Sequence, residues 1–246
     1  MPGSSAEASA GFWVPARRRG VEHLDDPRAA ADAEVLAELA DVAKANALFG
    51  GTRAVVSEVL AACADADAPR GFTLLDVGTG IGDIPRAARA AAKARGVRLD
   101  VMGLELSEVA ARAARTAAGV AVVADAFHLP FADGSVDVVT CSQVLHHFDA
   151  ATGASLLREL DRVARVRVIV SEIRRSWAAA AGVWLASFPL GFHAHSRHDG
   201  VLSVMRGFTA GELGALITQA VRRPAQSRRR AGFRVTAHWT PTAALA

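Results

Sequence analysis

The sequence predicts an α/β fold, with a mostly parallel sheet, doubly wound, carrying helices on both faces. Two observations lead to it. Between residues 72 and 171, five short apolar runs alternate with helical stretches, the pattern of parallel strands joined by crossover helices. The first run ends in Asp76-Val77-Gly78-Thr79-Gly80-Ile81-Gly82-Asp83, with glycine at every second position between a strand and a helix. Such a loop brings backbone close to a ligand and aims the free N–H groups of the following helix at it.

The elements follow in order. Residues 1–20 are expected to be a disordered tail, since Ser, Ala and Gly precede Pro15-Ala16-Arg17-Arg18-Arg19 without the apolar stretch of a signal peptide. Residues 21–68 read as N-terminal helices. Val35, Leu36, Leu39, Val42, Ala43 and Leu48 recur at three- and four-residue steps, Gly50-Gly51 breaks the run, and a second helix spans 52–64. The core, 72–171, opens with the first strand. Asp83 is expected to cap the next helix, with Pro85 in its first turn and Gly96 past its end. A strand at 98–105 precedes a helix capped by Ser107, and a third strand at 120–124 precedes Asp125. Pro130 and Asp133-Gly134 mark a turn before the strand at 136–142. A helix carrying Leu156, Leu157, Leu160 and Val163 then leads to the strand at 166–171. Residues 172–210 are expected to form a lid: an apolar helix at 177–187, then a loop at 188–207 rich in His, Gly and aromatic residues. Thr209 caps a C-terminal helix, and residues 224–240 read as two strands turning near Ala231-Gly232. Altogether this is one domain from 21 to 246.

The bulk numbers exclude several classes. With 51% hydrophobic residues the 246-residue chain can bury a sizeable core, and 22% charged residues is ordinary for a soluble protein. No apolar run reaches the roughly 18 residues of a membrane span. Two distant cysteines, Cys63 and Cys141, give no disulfide framework and suit a cytoplasmic location. The arginine clusters at 17–19, 174–175 and 222–230 come without an RNA-binding motif, so they read as solvated faces, and no nucleic-acid partner is expected.

Spacing narrows the ligand. A dinucleotide loop needs G-x-G-x-x-G, and Asp83 stands where its third glycine would be; the G-K-[ST] of a P-loop is absent. Glu105, at the end of the second strand, can accept hydrogen bonds from both ribose hydroxyls of a nucleoside, a feature shared with NAD enzymes. The D-x-G-x-G-x-G-D pattern, Glu105, Asp125 after the third strand and Ser142-Gln143-Val144-Leu145-His146-His147-Phe148 after the fourth together resemble class I S-adenosylmethionine (SAM) dependent methyltransferases. The resemblance implies a Rossmann-like seven-stranded sheet ending in an antiparallel strand. It implies SAM as cofactor, with S-adenosylhomocysteine (SAH) as product. Asp76, Gly78, Thr79, Gly80, Gly82 and Asp83 would surround the methionine moiety. Glu105 and Leu106 would serve the ribose side, Asp125 and Ala126 the adenine, and Ser142 and Gln143 the sulfonium.

Methyl transfer from a sulfonium needs orientation, exclusion of water and, for a phenol or enol, a base. His146 and His147, next to the expected methyl, are the candidates, set against a packing role. His193, His195 and His198 lie in the expected loop without cysteine or paired carboxylate, so no metal site is expected. Looser matches at Glu22-His23-Leu24-Asp25-Asp26, Asn46, Gly50-Gly51-Thr52-Arg53, Arg174-Arg175-Ser176, 198–203, 208–213 and 232–235 resemble a bacterial subgroup associated with type III polyketide synthases. That subgroup implies a phenolic or quinone-like lipid as acceptor. Trp184, Leu185, Phe188, Phe192 and Phe208 fit a lid over such a hydrophobic small molecule, or ordinary core packing. The competing readings are an NAD(P)-dependent oxidoreductase on a similar sheet and a non-catalytic SAM-binding accessory protein.

Overall fold

The computed structural model describes residues 14–18, 20–25, 31–66 and 71–244. Seven strands form one sheet: β1 Phe72–Val77, β2 Leu99–Glu105, β3 Ala121–Val123, β4 Val136–Ser142, β5 Ala164–Ile173, β6 Gln226–Arg230 and β7 Arg234–Trp239. Their order is β3-β2-β1-β4-β5-β7-β6. β1 to β5 pair in parallel, and β7 runs antiparallel to both β5 and β6. The helices are α1 Asp32–Leu48, α2 Gly51–Asp65, α3 Asp83–Lys93, α4 Glu108–Ala118, α5 Ala150–Val163, α6 Trp177–Ser187, α7 Ala194–Arg206 and α8 Ala210–Val221. The strand order reverses between β1 and β4, and a crevice opens there at the carboxyl ends of the strands.

Parallel strands covered on both faces must be apolar throughout. β4, between β1 and β5, accordingly has all seven residues buried. Successive side chains point to opposite faces. Leu75, Val77, Val139 and Val168 pack with Leu156, Leu160 and Ile217 of α5 and α8, while Leu74, Val138 and Ile169 pack with Val55, Val59, Ile84 and Ala88 of α2 and α3. Ser107 caps α4 by accepting from the N–H of Ala110, and Thr209 with Glu212 forms a reciprocal capping box on α8.

Several expectations need correction. Asp83 is not the cap of α3 but its first residue; the capping position is Gly82, at φ 78°. The inward face of α1 carries Val35, Glu38, Asp41 and Asn46, whereas Leu48 is 61% exposed, because α1 covers a polar site and not only a sheet. Residues 188–207 are not all loop: α7 occupies most of the stretch and packs Val204 and Met205 on Ala179 and Ala180 of α6. Its start at His193 has no side-chain cap of its own, and Gly200 weakens its interior, so Asp41 of α1, which accepts from the His193 N–H, and the packing of its end on α6 hold it, not local propensity. Residues 15–18, assigned to a tail by sequence, run along the end of α7. The Arg18 N–H donates to the Met205 carbonyl, the Arg17 Nε to that of Arg206, and Arg175 donates to the Pro15 carbonyl. The rest of the expected tail, 1–13 and 19, lies outside the described residues, as does Asp26. The polar run at 226–230 is a strand because β6 is the sheet edge and needs no second buried face.

Candidate active site

The glycine loop leaves β1 at the reversal of strand order. Gly78, Gly80 and Gly82 have φ of 70°, 56° and 78°, left-handed conformations that side chains resist. A Cβ on Gly78 would lie 2.4 Å from Val144 Cγ2. Asp76, fully buried, accepts from the hydroxyls of Thr79 (2.9 Å) and Thr140 (2.7 Å). Burial, opposed by those hydrogen bonds and reinforced by the charges of Asp83 and Glu105, pushes its carboxyl up to about 7. Glu105 clasps the loop: Oε2 accepts from the Gly80 N–H at 2.9 Å and Oε1 from that of Leu106 at 3.2 Å. Burial raises its pKa as well.

The structure therefore brings Asp76, Gly78, Thr79, Gly80 and Glu105 together. Asp125 lies at the adjoining strand end, where the Ala124 N–H donates to the Glu105 carbonyl. One Asp125 oxygen accepts from the Phe127 N–H. Leu106 is half-exposed beside Glu105, and Ala126 packs against the main core. Ser142 ends β4 with a buried hydroxyl that has no hydrogen-bond partner among the described residues. Gln143 holds φ 57°, an uncommon conformation for a non-glycine residue, and donates its N–H to the Ser171 carbonyl.

α1 closes this crevice. A Cβ on Gly80 would come within 3.4 Å of Leu39. Asn46 Oδ1 accepts from Gln143 Nε2 at 2.6 Å and Arg234 Nη2 at 3.2 Å; burial raises the Asp83 carboxyl, and the nearby Asn46 amide partly offsets this. Among these, the part played by Arg234, 188 residues from Asn46, carries no local sequence signal.

Beyond Gln143, the two adjacent histidines have different surroundings. His146 is buried, and its Nδ1 lies 2.7 Å from Oε2 of Glu172, whose other oxygen accepts from the Leu145 and His146 N–H groups. Burial works against ionisation of Glu172, but His146, His147 and the His146 N–H together hold the carboxyl below the ordinary range. His146 Nε2 has no hydrogen-bond partner among the described residues and faces Glu22 Oε1 at 3.8 Å, an oxygen equally without one. Burial raises the Glu22 carboxyl. His147 stacks on His146 and binds Asp25 through Nδ1. Although burial opposes it, hydrogen bonds from His147 and Arg206 hold Asp25 well below the carboxylate range. Arg206 links both histidines to the N-terminal segment, donating to their carbonyls and to Asp25. Sequence reasoning missed Glu172 and Glu22 as partners, since neither is near the histidines in the chain.

A cavity of about 190 Å³ adjoins this point, walled by Val42, Ala45, Phe49, Ile173, Val183 and Phe192, with Gln143, Glu22 and Arg234 among its polar residues. Of the five residues expected to form an apolar lid, Phe192 lines it. Trp184, Leu185 and Phe188 are at least half exposed, because α6 turns its other face to α7, and Phe208 belongs to the main core. The three lid histidines diverge: His193 pairs with Asp41 and His198 with Asp199, while His195 joins His23 around Glu38.

Residues 75–170 match a family model described as a methyltransferase domain. The solved structures similar to this chain include magnesium protoporphyrin IX methyltransferase from Synechocystis PCC 6803 with bound SAH, at 18% identity and a TM-score of 0.53. That match covers 78% of this chain and 84% of the other. A SAM-dependent methyltransferase from Aquifex aeolicus is 16% identical, with a TM-score of 0.50 over 76% and 87% of the two chains. Human N-acetylserotonin methyltransferase in complex with SAM is 13% identical, with a TM-score of 0.59 over 86% of this chain and 56% of its own. At these identities the structural likeness speaks for the fold.

Proposed function

We propose that this chain, an enzyme whose residues 75–170 form a methyltransferase domain, moves the methyl group of SAM to a hydroxyl of a small, largely apolar phenolic or quinone-like acceptor. One observation carries the acceptor side of this reading. A buried histidine, fixed at Nδ1 by Glu172, keeps Nε2 without a hydrogen-bond partner among the described residues, 3.8 Å from Glu22, a residue of the cavity wall.

The donor site fits SAM in its chemistry. Glu105 accepts backbone hydrogen bonds from Gly80 and Leu106, and a carboxylate, with about four lone-pair sites, keeps capacity for a ribose hydroxyl. The glycine loop keeps Cβ atoms out of the crevice, and Asp76 and Asp83, whose carboxyls burial raises, would ionise beside an ammonium and a sulfonium, since a nearby opposite charge favours the charged form. SAM, when bound, supplies the activated methyl. Leu106, Asp125 and Ala126 would then flank the nucleoside, and Ser142 and Gln143 the sulfonium end.

The chain's own residues do the remaining work. With its Nδ1 proton directed to Glu172, His146 presents the Nε2 lone pair and can accept the proton of an acceptor hydroxyl. His147, held by Asp25, serves to fix the N-terminal segment over the site and not as base. The apolar wall excludes water from the reacting atoms. This arrangement favours an enzyme over a SAM-binding accessory protein, since a cofactor carrier needs no oriented base.

Two measurements test the reading. Thermal unfolding with SAH, SAM, NAD and NADP is expected to shift with the SAM pair alone. A ligand at about 100 times its Kd adds about 2.7 kcal/mol, or roughly 5–10 °C for a chain of this size. A shift with NAD or NADP alone would overturn it. Methyl transfer from labelled SAM to alkylphenols and quinols should then fall on the order of 10²-fold or more in His146→Ala and survive in His147→Ala. Equal full activity in both would remove the base.

A further inference from the structure

Among the described residues, Arg234 is a charge of the cavity wall without a counter-charge. Arg234 starts β7, is 4% exposed and lines the cavity beside Gln143, Phe233 and Ile173. Its Nη2 donates to Asn46 Oδ1 at 3.2 Å, an oxygen it shares with Gln143. Its Nη1 has no hydrogen-bond partner, and no carboxylate pairs with it among the described residues. Glu172, the acid whose charge it feels, is committed to His146. The other acids of the cavity wall are engaged too: Asp41 by Lys44 and His193, Asp199 by His198 and the His23 N–H, Glu38 by His23, and Glu22 by Arg206 and Ser203.

An unpaired buried cation is costly, and a guanidinium gives up its proton too reluctantly to escape by neutralising. Burial brings Arg234 down to about 10, still charged at neutral pH. The space around it is made for the group: a Cβ on Gly51 would lie 3.1 Å from its Cζ. An arginine whose fork is fixed on one side by Asn46 and left open on the other is built for a planar, two-oxygen anion.

We infer that Arg234 is the anchor for a carboxylate carried by the methyl acceptor, so that the acceptor is an apolar aromatic acid and not a neutral phenol. This rests on the reading of the cavity as the acceptor site. The apolar wall would take the hydrocarbon part, and the carboxylate would set which hydroxyl faces His146.

The test compares two molecules that differ by the carboxylate, 2,4-dihydroxy-6-pentylbenzoate and 5-pentylresorcinol. Binding of each to the SAH-loaded full chain is followed by calorimetry, in the wild type and in Arg234→Met and Arg234→Lys. The acid is expected to bind at least ten-fold tighter than its neutral twin to the wild type, with the preference lost in Arg234→Met and partly kept in Arg234→Lys. Equal affinity of the two for the wild type overturns the proposal, whether or not either variant folds. SAH and 5′-methylthioadenosine, which lacks the amino acid carboxylate, are titrated in parallel. If Arg234→Met weakens SAH and leaves methylthioadenosine unchanged, the carboxylate belongs to the donor, and the proposal is again overturned. Failure of the wild type to bind SAH at all would instead count against the methyltransferase reading itself.

Discussion

Nδ1 of His146 lies 2.7 Å from Oε2 of Glu172, and both side chains are almost wholly shielded from solvent. The pair joins the 3-10 turn after β4 to the carboxyl end of β5, so the orientation of the histidine is set by the sheet itself. Glu172 acts through His146 as a positioning residue. Glu172→Gln is expected to lower kcat by about 10–100-fold, less than the roughly 10²–10⁴-fold that a general base itself contributes, while KM for the acceptor and Kd for SAH change little. Parallel steady-state kinetics and SAH calorimetry check this; a loss confined to KM would mean that Glu172 shapes the cavity instead.

Asp76 predicts a dependence of stability on pH. Its folded-state pKa of about 7 lies above the ordinary 3.8. The native state thus holds a proton that the unfolded chain releases, and this contribution is full below pH 3.8 and is lost as pH rises to about 7. Asp76→Asn removes the effect, keeping an acceptor and a donor for Thr79 and Thr140. The Tm of the variant relative to wild type, without ligand, should rise between pH 5 and pH 8 by several degrees, at about 2–4 °C per kcal/mol. A constant difference across that window would show that Asp76 is ionised throughout.

Glu105 ties β2 to the glycine loop and faces the nucleoside side. Glu105→Ala is expected to weaken SAH binding by about 1–3 kcal/mol through lost hydrogen bonds. Calorimetry at pH 8 checks it, and unchanged affinity would take Glu105 out of the donor site.

Gly78 has no room for a side chain. Gly78→Ala forces a Cβ to within 2.4 Å of Val144 Cγ2 at a φ of 70°. Strain of this kind costs about 1–3 kcal/mol, so the variant should melt several degrees lower and bind SAH poorly. Adding Val144→Ala relieves the contact but not the dihedral, and should restore only part of the Tm.

The sequence by itself determined the parts of this protein governed by local pattern. The α/β alternation, the glycine loop, the ends of β4, the caps at Ser107 and Thr209 and the C-terminal hairpin all follow from periodicity, turn chemistry and capping within a few residues. Only the tertiary structure decided α7, whose uncapped start is held by Asp41 of α1 and whose end packs on α6, and the solvent exposure of Trp184 and Phe188, since an all-round apolar helix does not say which face is covered. The same holds for the acceptor side of the site. Glu172 meets His146 at a separation of 26 residues, Glu22 meets Arg206 at 184 and Asn46 meets Arg234 at 188. A buried charge takes its partner from whatever the fold brings within hydrogen-bond reach, and no local pattern records that choice.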